Sequence, residues 1–176
     1  MKYLILTLFL AYTFVTGYSQ QGGHTIASPD KTILVTCRID QDQSTWSVSY
    51  RGKPILESSK LGLVLADEDF SGILRLVKVS DPETVTERYT MINAKKKNIT
   101  YTATQRKLET VTASGKKMNI IFRVSNDGVA FQYEFPEESN DIKKIVSEAT
   151  TFNFLEGTRA WLQPKAEAQT GFEHTN

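Results

Sequence analysis

The side chains here that could carry acid–base, nucleophilic or metal chemistry are two histidines, one cysteine and 20 carboxylates. A Ser or Cys nucleophile needs a base within hydrogen-bond reach. His24 is expected in a mobile N-terminal segment and His174 sits close to the last residue, Asn176, so neither is promising as a general base. Histidines so far apart also leave little for a zinc site built from local ligand pairs. No G-x-S-x-G elbow, phosphate-cradling glycine loop, H-E-x-x-H pair or EF-hand loop occurs. Twenty carboxylates could be paired in many ways for glycosidic chemistry, but nothing singles out two that face each other. The sequence therefore nominates no catalytic residue. Asn98-Ile99-Thr100 fits a glycosylation sequon, a triplet too common by chance to carry weight.

Aromatic rings offer a different chemistry, because an exposed ring can stack on the C–H face of a sugar. Trp46, Tyr50, Tyr89, Tyr101 and Trp161 are the candidates. Trp46 and Tyr50 share a face with Val48 and are expected in the core. Trp161, between Ala160 and Leu162, is kept as a carbohydrate-binding candidate, although its neighbours favour a structural role.

Elements must hold whatever chemistry there is, and the chain supplies about one domain of them. Its 176 residues carry 21 basic and 20 acidic side chains, a near-neutral balance that argues against a nucleic-acid binder. Residues 1–20 have Lys2 as their one charge, an apolar run from Tyr3 to Val15 and a small, polar end at Gly17-Tyr18-Ser19-Gln20. That is the pattern of a cleaved signal peptide, and the run is shorter than the roughly 20 residues of a spanning helix. The domain is thus expected over 21–176, exported, with no membrane association after cleavage. Export makes a surface thiol a liability, and the register Ile33, Val35, Cys37, Ile39 places Cys37 in the core.

Alternation with period two marks the strands. Trp46, Val48 and Tyr50 alternate with hydroxyls; Leu61, Leu63 and Leu65 repeat the pattern, as do Met118, Ile120, Phe122 and Val124, and Val129, Phe131, Tyr133 and Phe135. Turns are expected at Arg51-Gly52-Lys53-Pro54, Ser114-Gly115-Lys116 and Asn126-Asp127-Gly128, the last with its glycine at positive φ. Glu137 to Glu148 reads either as a helix or as a loop leading into a strand. Asp67-Glu68-Asp69, Lys95-Lys96-Lys97 and Glu137-Glu138 read as solvated loops. The fold class is all-β and antiparallel, a sandwich with a closed barrel as the competing architecture.

Several segments together resemble the N-terminal domain of glycoside hydrolase family 97, secreted bacterial α-glucosidases and α-galactosidases. They are SPDKTILVTCRID (28–40), WSVSYRGKPILESSKLGLVL (46–65), FRVSNDGVAFQYEFP (122–136), TTFNF (150–154) and AWLQP (160–164). The resemblance implies a galactose-mutarotase-like β-super-sandwich. It also implies a complete enzyme in which this domain packs on a catalytic (β/α)8 barrel that holds the carboxylates and most ligands of a calcium ion. That barrel is absent from this chain, which is expected to lack glycosidase activity alone. An acidic calcium ligand is expected just past residue 176, with Glu173 the nearest candidate within it. The implied partner is an oligosaccharide or α-glycoside substrate bound through the complete enzyme, and the implied location is the periplasm. A free-standing carbohydrate-binding module and a purely structural sandwich are the alternatives.

Overall fold

A computed structural model describes residues 23–160, apart from 41, 94 and 141. Alternating side chains become paired strands wherever a tight turn brings two of them side by side. The strands are β1 (His24–Ala27), β2 (Ile33–Ile39), β3 (Ser44–Tyr50), β4 (Lys53–Leu61), β5 (Leu63–Leu65), β6 (Arg75–Val79), β7 (Glu83–Thr90), β8 (Asn98–Val111), β9 (Lys117–Ser125), β10 (Val129–Glu134) and β11 (Ile145–Glu148). Among the described residues every regular element is a strand and every strand pairing is antiparallel. Glu137 to Glu148 resolves as a loop followed by β11, the second of the two readings open from sequence.

Strands β1 to β4 form one sheet in chain order. A second sheet runs β10-β9-β8-β6, with β7 also paired to β8. The two sheets are separate layers, so the architecture is a sandwich and not a closed barrel. A third, small ladder joins β5 to β11, and an isolated bridge ties Leu56 to Phe154.

Turn chemistry explains much of this order. Arg51 and Gly52 both have positive φ, 50° and 76°, the two-residue mirror-image turn whose twist suits a hairpin. Gly115, at 91°, serves the β8–β9 turn. Gly128 does not take a positive φ, contrary to expectation. Residues 126–128 make a three-residue connection instead, closed by the Ser125 N–H to the Gly128 carbonyl and by the Ser125 hydroxyl to Asp127.

The core lies between the two sheets. Ile26, Val35, Cys37, Trp46, Val48 and Leu56 from the first meet Leu108, Met118, Ile120, Phe122 and Val124 from the second, all buried. Trp46 lies 6.0 Å from Phe122 and 5.3 Å from Phe131, ring centre to ring centre, an aromatic cluster that spans the layers. Burying each large side chain stabilises by roughly 1.5–3 kcal/mol. Tyr50 departs from its expected core place: it shares the parity of Trp46, but it ends β3 beside the Arg51–Gly52 turn. It is 39% exposed, with the Arg51 guanidinium 5.0 Å from its ring centre.

Strand β8 is unusually long and carries two partners on one edge. Its C-terminal half pairs with β6 through Leu108–Val111, and its N-terminal half pairs with β7 through Asn98–Gln105. The opposite edge meets β9 only from Ala103 onward. The paired segments Thr86–Thr90 and Asn98–Thr102 therefore project past the sandwich as a two-stranded arm. Arg106 fastens its root, donating from Nε to the Ser80 carbonyl at 2.9 Å and from Nη1 to the Thr25 carbonyl at 2.8 Å.

Candidate functional site

Cys37 occupies the core position its register predicts: it is fully buried, and desolvation pushes its thiol up to about 12. Such a group holds almost no thiolate at neutral pH and is no nucleophile. His24 is not in a mobile tail. It begins β1, pairs with Cys37 across the ladder, and has its pKa lowered by partial burial and then by the charge of Arg106. The ladder orders this segment because Ile26 anchors it in the core. Trp161, Glu173 and His174 lie outside the described residues, as does the expected signal peptide. Among the described residues no group of three or more His, Cys, Asp or Glu could hold a metal ion. The calcium ligands that the resemblance implies, in the barrel and near Glu173, lie outside the described residues.

Two surfaces among the described residues carry hollows lined with aromatic side chains. The first is an apolar cleft of about 490 Å3 where the β3–β4 hairpin faces the chain after β11. Trp46 and Val48 form part of its wall, and Ile55, Phe152 and Phe154 stand about half-exposed around it. The indole Nε1 of Trp46 is buried without a hydrogen-bond partner.

The second surface is the outer face of the large sheet. Cross-strand partners share a face, and register therefore gathers Glu83, Glu87, Tyr101, Gln105, Ile121, Arg123, Ala130 and Gln132 from four strands. Arg123 donates from Nε to Gln105 Oε1 and from Nη1 to Glu87 Oε1, each at 2.6 Å. Gln105 Nε2 in turn donates to Glu83 Oε1 at 2.7 Å. The Arg123–Glu87 pair is half-exposed and contributes little to stability, but it fixes the guanidinium in place. Beside it lies a hollow of about 190 Å3 lined by Tyr101, Ile121, Arg123, Ala130 and Gln132.

The sequence listing of aromatics contains Tyr101 but misses the planar polar groups around it. Their available signal is parity: Tyr101 and Gln105 lie four apart on one strand, Ile121 and Arg123 two apart on the next. Nothing in the spacing alone says that these strands are neighbours in this register.

Comparison with known proteins follows the fold. A family model described as "Glycosyl-hydrolase 97 N-terminal" matches residues 26–176. A probable retaining alpha-galactosidase of Streptomyces bingchenggensis is 30% identical over 166 residues, covering 90% of this chain and 26% of that protein. A crystal structure of a beta-arabinopyranosidase superposes with a TM-score of 0.75 at 30% identity, over 84% of this chain and 24% of the other. A glycoside hydrolase family 97 enzyme from a Pseudoalteromonas species, solved with panose, shares the fold at a TM-score of 0.66 and 20% identity, over 76% of this chain and 20% of its own. This chain thus spans about a quarter of the length of these relatives. With a family model covering nearly the whole described sandwich, the chain belongs to the glycosyl-hydrolase 97 N-terminal family.

Proposed function

We propose that this chain is the N-terminal sandwich of a secreted glycoside hydrolase that cleaves α-linked glucosides or galactosides, and that it shapes and covers the mouth of a catalytic barrel. The family match over 26–176, in a chain a quarter the length of relatives that include a probable alpha-galactosidase, carries this reading. The one thiol among the described residues is buried and held protonated, which supports a role without a cysteine nucleophile. The apolar cleft between Ile55, Phe152 and Phe154 supports contact with a further domain, since exposed apolar clusters of this kind mark interaction surfaces. Calcium belongs to the complete enzyme in this reading, with ligands drawn from the barrel and from the chain near or beyond Glu173. Residues 1–20 direct export to the periplasm.

The test compares two proteins, the 176-residue chain and a version extended by whatever sequence its gene encodes downstream of codon 176. Nitrophenyl α-glucoside and α-galactoside are the substrates. The extended protein is expected to turn over one of them and the chain alone neither. Clear turnover by the chain alone would overturn the reading, as would a downstream sequence encoding no barrel.

A further inference from the structure

We propose that the hollow on the outer face of the large sheet, between Tyr101, Arg123 and Gln132, binds one neutral pyranose ring of a glycan. Its shape and size set the first limit. At about 190 Å3 it is smaller than the roughly 300 to 1,000 Å3 of pockets that enclose drug-sized ligands, so it would take one ring of a chain that continues past it.

Chemistry sets the second limit. Ile121 and Ala130 give the hollow an apolar lining, and Tyr101 adds an aromatic ring, surfaces suited to the C–H face of a sugar. Gln132 is exposed on the rim and offers both an amide donor and a carbonyl acceptor, which matches a hydroxyl group's own dual character. Arg123 is held by Gln105 and Glu87 through two of its five N–H donors, leaving the rest of a fixed planar fork.

Charge sets the third. The Arg123 cation is matched by Glu87 at 2.6 Å, and Glu83 adds a second carboxylate one residue further along the network. Lys107, opposite Ile121, is likewise paired, with Glu134 at 3.7 Å, so both of these cations are matched and Glu83 stands in excess, which disfavours phosphates and uronates and leaves neutral polyols. Among neutral polyols, the choice of a pyranose rests on the family reading given above.

Isothermal titration of the intact chain with maltotriose and with raffinose tests the site. One of the two is expected to bind with little dependence on salt. Tyr101→Ala should weaken binding about tenfold, the loss of a stacking contact of about 1.4 kcal/mol. Tyr101→Phe should bind like the parent, Gln132→Ala should be weaker by several-fold, and Tyr50→Ala, on the distant hairpin, should be unchanged. Gln132 is a surface residue, so its variant reports on the site even where Tyr101→Ala disturbs the strand. The proposal is overturned if the parent binds neither sugar at about 10 mM. It fails equally if Tyr101→Ala and Gln132→Ala both bind like the parent, or if binding is confined to oligogalacturonate and falls with salt. The hydrolase reading stands or falls on turnover by the extended protein, so sugar binding that survives both substitutions removes this site and leaves that reading intact.

Discussion

The body of the sandwich and the β7–β8 arm are built from the same strand chemistry and stand at opposite extremes of burial. In the body, β9 has neighbours on both edges and a second sheet over one face, and Met118, Ile120, Phe122 and Val124 are fully buried. In the arm each strand has one partner, nearly every residue of β7 is exposed, and the tip carries Ile92 at 97% exposure. Thr84 and Thr86 face Thr104 and Thr102 on the side that, further along β8, packs into the core. On that side, threonine stands at the arm end of β8 where leucine stands further along it. Local pairing alone is marginal in water, since cross-strand pairs contribute only about 0.2–1 kcal/mol each, and a second layer supplies the rest.

The largest contrast should come from deleting one ring in each region. Phe122→Ala is expected to lose about 3–5 kcal/mol in urea unfolding, whereas Tyr89→Ala should change stability by no more than about 0.5 kcal/mol. Equal losses would erase the distinction between body and arm. A smaller effect, about 1–3 kcal/mol, is expected from Gly62→Ala. A Cβ there would stand 2.5 Å from the Ser71 Cα and 2.8 Å from the Phe70 carbonyl oxygen, both backbone atoms that cannot swing aside. Gly72→Ala has open space and should be near neutral in the same assay.

The smallest effect lies at the root of the arm. His24 titrates below its ordinary value because burial, and then the charge of Arg106, disfavour its cation. The stability this contributes is whole above pH 6.5 and is lost as pH falls through the lowered native value. Thermal melts of the parent from pH 8 to pH 5 should therefore decline more than those of His24→Gln. Parallel curves would detach His24 from this junction.

The body was legible in the sequence because one face of each strand is buried, and burial writes alternation into the residues. Trp46 and Val48, or Met118 to Val124, can be read without a structure. The arm was not legible for the same reason. Neither of its faces is buried, so Thr84 to Arg88 shows no apolar period, and none of the alternating runs read from sequence falls within β7 or β8. Tyr50 shows the converse limit: its parity is right, but parity cannot say that the last strand residue before a turn stays exposed. The outer-face hollow draws on three strands between Tyr101 and Gln132, and its residues become neighbours only through register, which is a property of the turns and the core together.

The small ladder between β5 and β11 has a consequence for the order of assembly. Each large sheet is one uninterrupted stretch of chain, 24–61 for the first and 75–134 for the second. Pairings inside them join consecutive strands, except β6 with β8, which encloses only β7, while Leu65–Ile145 encloses the second sheet whole. Loop-closure entropy grows only with the logarithm of length, so this closure costs little more than a shorter one. Before the enclosed sheet forms, however, closing it gains few contacts, and long-range pairing is the slow step of a β topology. Assembly therefore has a direction: two ladders zip from their own turns, and the fastening between β5 and β11, with Phe154 against Leu56, comes after both.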